Sequence, residues 1–111
     1  MERKKYLAAL TFTTLLGLSG CVVDTLPPGS PKDARAVTTP GGIFFKKGNE
    51  NDASLWKHEL QHWKDYMEDP LFFQKYATDS EFACEAEKRA NQAAQIFPTG
   101  DHAACDAVKD K

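Results

Sequence analysis

The chain lacks a surplus of positive charge: 14 Lys and Arg stand against 16 Asp and Glu in 111 residues. Phosphate backbones are held by clustered Lys and Arg, and no such stripe occurs, which argues against nucleic acid as a partner. Also missing are an apolar run long enough to span a bilayer, internal repeats and any Cys-x-x-Cys pair. Cysteine and histidine are scarce, at three each. The length is too short for two cores, and a single core of this size is commonly stapled by a metal or by disulfides. Those few cysteines and histidines are therefore where a staple has to be sought.

What is present begins with an address. Residues 1–20 open with Arg3, Lys4 and Lys5 and continue into the apolar run Tyr6 to Leu18, the basic and hydrophobic regions of an export signal too short to anchor by itself. The run ends in Leu18-Ser19-Gly20-Cys21, which resembles the bacterial lipobox. That resemblance implies cleavage before Cys21, lipid on Cys21 and a membrane-surface anchor without a transmembrane helix. Val22, where an Asp would signal retention in the inner membrane, implies the outer membrane, facing the periplasm. Removing residues 1–20 leaves 11 basic and 15 acidic residues, a mildly acidic mature protein. Residues 21–40 hold Pro27, Pro28, Gly29, Pro31 and Pro40 without apolar periodicity, the composition of a tether. The globular domain is then expected over 41–111.

Within it the pattern predicts an α+β, mainly helical fold with two packed helices. Ile43, Phe44 and Phe45, bounded by glycines, read as a strand or one arm of a hairpin. Leu55, Leu60 and Trp63 recur at helical spacing from an N-cap at Ser54 until Pro70, giving a first helix. Thr78 and Glu81 have the form of a capping box opening a second helix that runs to Phe97. A short last helix is expected over 101–108. Trp56, Trp63, Phe72, Phe73, Phe82 and Phe97 are the expected core aromatics, with Phe44 and Phe45 partly exposed.

The first helix contains His58-Glu59-Leu60-Gln61-His62, an H-E-x-x-H pattern. Histidines four apart lie on one helix face, so both rings can reach one zinc ion, and Glu59 is offset toward the open coordination position. There a carboxylate can act as general base for a zinc-polarised water. A third ligand is required. Asp65 and Glu68 stand where metzincins place Gly and the third His, so that pattern is absent. The second helix offers Glu81, Glu85 and Glu87. Ala83, Ala86, Ala90 and Ala94 mark its packing face, and Glu87 lies on that stripe, where a carboxylate is costly unless paired or metal-bound. Glu87 is the leading candidate and Glu85 the next.

With Glu87-Lys88-Arg89-Ala90-Asn91 as an E-x-x-A-N motif after H-E-x-x-H, residues 41–97 resemble the gluzincin metallopeptidases, particularly the compact minigluzincins. The resemblance implies zinc on His58, His62 and Glu87, Glu59 as base, a peptide or protein substrate, and substrate pairing along Ile43 to Phe45. Tyr66, Tyr76 and His102 are the candidates for an oxyanion-side donor. Cys84 and Cys105, left after Cys21 is given to lipid, are expected to form a disulfide adding roughly 3 kcal/mol. The alternative to a peptidase is an envelope lipoprotein that zinc merely staples, acting as a binding or structural module.

Overall fold

The structure is a computed structural model describing residues 11–15 and 18–109; the basic start and part of the apolar run of the expected signal, 1–10 and 16–17, lie outside the described residues. The fold is α+β. Among the described residues four strands, β1 (Thr11–Leu15), β2 (Leu18–Val23), β3 (Ala36–Thr39) and β4 (Gly42–Lys46), precede four helices, α1 (Ala53–Glu68), α2 (Phe72–Thr78), α3 (Ser80–Ala93) and α4 (Ala103–Lys109). The chain divides into two compact units, Met1–Asp52 and Ala53–Lys111. No helix among the described residues is long and apolar enough to cross a membrane.

The first unit is a sheet in the order β1-β2-β4-β3. β3 and β4 form an antiparallel hairpin pairing Thr39 with Gly42 and Ala36 with Phe45. Its two-residue turn, Pro40 and Gly41, is closed by the Thr39 hydroxyl, which accepts from the Gly41 amide at 3.0 Å. The expected tether is therefore shorter than composition suggested, since 36–39 are hydrogen-bonded strand. Proline and threonine marked the segment as linker, but Pro40 falls in the turn, where its missing N–H is harmless. β2 runs parallel to β4, pairing Cys21 with Phe44, Val22 with Phe45 and Val23 with Lys46. Chain cleavage before Cys21 would remove β1 and Leu18 to Gly20 of β2, while the three residues paired with β4 stay in the chain.

Alternation along β4 buries Ile43 and Phe45 and leaves Phe44 half-buried. Phe45, expected to be partly exposed, is fully buried. A second correction concerns function. At Phe44 and Phe45 both edges of β4 are occupied, by β2 and β3, so these two residues have no free backbone edge for a substrate strand, while Ile43 pairs with Thr38 of β3.

The second unit is helical, with α3 packed on α1, α2 and α4. Its N-cap is Asp79, whose side chain accepts from the Glu81 and Phe82 amides. Thr78 instead ends α2 and donates its hydroxyl to the Gln74 carbonyl, so the predicted Thr78–Glu81 capping box is replaced by the Asp79 cap one residue later. Helix α3 stops at Ala93, short of Phe97. Gln95 takes φ 58°, and the Ile96 and Gln95 amides return to the Asn91 and Gln92 carbonyls. This is a Schellman cap with glutamine in the left-handed position glycine usually fills. Phe97 consequently lies beyond the helix, 69% exposed, and is not a core residue. Ser54 sits inside α1 and donates to the Ala94 carbonyl, tying α1 to the end of α3. Ala83, Ala86, Ala90 and Ala94 are all buried, as the small-residue stripe predicts. Phe72 anchors an aromatic cluster with Phe73 and Phe82 at centroid distances of 5.1 and 5.6 Å.

Candidate metal centre

The buried face of α1 is mostly polar. Trp56, Glu59, His62 and Asp65 point inward at three-residue intervals, whereas Leu55, Leu60 and Trp63, whose periodicity announced the helix, are only half-buried. Opposite them α3 buries Glu87 and Asn91 among its alanines. Burial of a carboxylate is unfavourable unless charged or hydrogen-bonding groups compensate it, and the compensation here comes from histidine.

Three atoms converge. His58 Nε2 lies 2.9 Å and His62 Nε2 3.1 Å from Glu87 Oε1, and the two imidazole nitrogens are 3.2 Å apart. Ligand atoms bound at about 2.0 to 2.1 Å by a small tetrahedral ion stand roughly 3.3 Å from one another, so this triangle has the size of one coordination face. Two imidazoles and a carboxylate also have the donor chemistry that such an ion takes. His58, His62 and Glu87 can together hold a metal ion.

Between the two glutamates left open by sequence, the geometry discriminates clearly. Glu87 is 4% exposed and faces both histidines. The Glu85 side chain is 63% exposed and pairs with Lys88 at 3.4 Å. Glu81 is likewise exposed. Glu59 is buried with Oε2 4.0 Å from His58 Nε2, beside the cluster.

Electrostatics follow from this enclosure. Burial works against ionising Glu87, yet hydrogen bonds from His58 and His62, and from Tyr76, hold its carboxyl well below the usual carboxylate range. For His58, burial acts to lower the pKa, but the Glu87 hydrogen bond and the nearby Glu59 charge outweigh it and raise the net value. Asn91 also hydrogen-bonds His58 through its side chain and donates to the Thr99 carbonyl at 2.9 Å, so one amide fixes a ring of the cluster and the loop after α3. His62 has no such support, since its buried Nδ1 finds no partner among the described residues.

The candidate oxyanion donors separate. Tyr76 donates its hydroxyl to Glu87 Oε2, and burial together with the Glu87 charge pushes its pKa far above normal. Its one proton is committed to the carboxylate. Tyr66 instead joins Trp63 and Phe73 in an aromatic cluster at 5.6 and 4.9 Å. His102 comes within 3.5 Å of Glu87 Oε1 through Nε2. Cys84 and Cys105 form the expected disulfide, while Cys21, in β2, is a free, half-buried thiol.

One pair escaped the sequence reading. Arg89 Nε and Nη2 both reach Asp65 Oδ2, at 3.3 and 3.2 Å, and Gln61 donates to Asp65 Oδ1 at 3.1 Å. This clamp joins α1 to α3 one turn beyond His62. The available signal was the three-residue interval from Glu59 through His62 to Asp65. Compared with known protein families, curated proteins and solved structures, the chain matches none.

Proposed function

We propose that this protein is a zinc metallopeptidase held by lipid on Cys21 at a bacterial membrane surface, facing the periplasm, with a peptide or protein substrate of the cell envelope. The observation that carries the reading is the meeting of His58, His62 and Glu87 within hydrogen-bond distance, with buried Glu59 alongside. Zinc, when bound, supplies a Lewis acid that brings the pKa of water toward neutrality. Glu59, in the H-E-x-x-H position next to His58, is the residue that accepts the proton and passes it to the leaving amine. Tyr76 and Asn91 orient the ligands, Tyr76 on the carboxylate and Asn91 on the His58 ring. The signal-like start and Leu18-Ser19-Gly20-Cys21 support the lipid anchor.

One observation favours a second reading, a zinc-stapled envelope lipoprotein without hydrolytic activity: Phe44 and Phe45 of β4 are paired on both sides, leaving no open edge there on which a peptide could be laid. A stapling site needs no general base, so Glu59→Gln separates the two. In a peptidase this variant keeps about one zinc per chain by mass spectrometry and loses peptide-library cleavage by a factor on the order of 100 or more. Cleavage that persists in Glu59→Gln rejects the mechanism. Zinc in the wild type without any cleavage selects the stapled lipoprotein. His58→Ala and Glu87→Ala are expected to abolish stoichiometric zinc under either reading.

A further inference from the structure

We propose that the Cys84–Cys105 disulfide and His102 form a brace on the metal-ligating carboxylate, with His102 a hydrogen-bond donor to Glu87 rather than a fourth ligand. The inference rests on the metal-site reading and deepens it. Its first support is the tautomer of His102. The Ala104 amide donates to His102 Nδ1 at 3.0 Å, so Nδ1 presents its lone pair and the neutral ring carries its proton on Nε2. A protonated ring nitrogen cannot bind a metal, but it can donate. Nε2 faces Glu87 Oε1 at 3.5 Å, and His102 stands outside the close group of His58, His62 and Glu87.

The second support is the accounting at Glu87. Oε1 is approached by three imidazoles, at 2.9, 3.1 and 3.5 Å, and Oε2 by the Tyr76 hydroxyl. Once His58 and His62 turn their Nε2 lone pairs to a metal, they no longer donate to the carboxylate. Among the described residues His102 N–H and Tyr76 O–H are then the donors left, one per oxygen, and such outer partners fix the orientation of a ligating carboxylate.

Spacing links this donor to the disulfide. Cys84 lies three residues before Glu87 on α3, and Cys105 lies three residues after His102. The bond thus joins the turn preceding the ligand to the turn following the donor. His102 itself is locked to the start of α4: its ring caps Ala104, and its carbonyl accepts from Cys105 at 2.9 Å and from Asp106 at 3.3 Å. A helix of seven residues does not hold itself in place. With its side chain 35% exposed, His102 is not fixed by its own burial, and the cross-link to α3 together with the packing of α4 on that helix holds it in position.

The experiment is a zinc competition titration on the oxidised full chain, comparing wild type, His102→Asn, Cys84→Ser/Cys105→Ser and the triple variant. Asparagine is a good N-cap, so His102→Asn keeps the cap on α4 while withdrawing the donor from Glu87. Expected is about 10-fold weaker zinc binding for His102→Asn, a comparable loss for the double serine variant, and no further loss in the triple variant, because the disulfide acts through His102. Wild-type affinity in His102→Asn overturns the brace, as does a triple variant whose loss is the product of the two. Should the serine variant fail to fold, His102→Asn, with the disulfide intact, decides alone. A wild type that takes up no zinc refutes the metal-site reading itself, an outcome distinct from a wild type that binds zinc and a His102→Asn that binds it equally well.

Discussion

Among the described residues, the sheet unit buries Ala36, Thr38, Ile43 and Phe45, whereas the helical unit buries Glu59, His62, Asp65, Glu87 and Asn91 beside Trp56, Phe72 and four alanines. In the first, apolar side chains alternate along a strand and do what a sheet requires. In the second, titratable groups occupy positions where leucine would serve stability better, and they compensate one another across α1 and α3. Burying apolar area stabilises by about 25 cal/mol per Å2, while a buried carboxylate starts from an unfavourable desolvation term. Buried titratable groups that compensate one another mark the helical unit, and not the sheet, as the place where chemistry is to be sought.

The sharpest way to test this contrast is to damage each unit in its own currency of interaction. Phe45→Ala, in the sheet, is expected to lose about 3 to 5 kcal/mol of stability, the usual range for truncating a fully buried phenylalanine. Denaturant unfolding in the presence of a chelator measures it, and a loss under about 1 kcal/mol would mean that the sheet contributes little to the folded state. The helical unit should respond instead to metal. Zinc at 100 times its dissociation constant adds about 2.7 kcal/mol, seen as a rise in Tm that chelator reverses and that Glu87→Ala lacks. Equal Tm with and without zinc would erase the distinction between the units.

How much of this was legible beforehand depended on the range of each signal. His58, Glu59 and His62 lie within one helix, so their spacing alone places them together. Glu87 was readable because it interrupts an alanine stripe, and the same stripe demoted Glu85. Disulfide pairing of Cys84 with Cys105 followed from there being only two cysteines beyond Cys21. Residues brought in from outside α1 and α3 carried no comparable mark. Tyr76 reaches Glu87 from α2 and His102 reaches it from the start of α4, and no periodicity connects those segments to α3. Strand β3 was hidden because Thr38, Thr39 and Pro40 read as linker until paired with β4. Phe97 read as core only while α3 was expected to continue past Gln95, whose left-handed backbone ends it.

A smaller effect compares one ion pair from each unit. Arg89 meets Asp65, whose side chain is only 10% exposed and also accepts from Gln61, whereas Arg35 meets Asp52 at 3.1 Å with both partners well solvated. Removing the cation from a buried carboxylate leaves an acceptor short of its charged donors, at about 1 to 3 kcal/mol. At an exposed pair, water replaces the lost partner and the effect stays within about 1 kcal/mol. Arg89→Met is therefore expected to lower stability more than Arg35→Met, both measured by denaturant unfolding in chelator so that metal does not mask the difference. Salt sharpens the test: raising ionic strength should erase the Arg35 effect and leave most of the Arg89 effect, since screening acts on solvated charges and reaches buried ones poorly. If the two variants proved equally mild and equally salt-sensitive, Asp65 would belong with the surface carboxylates, and the polar face of α1 would narrow to Glu59 and His62, within and beside the His58–His62–Glu87 cluster.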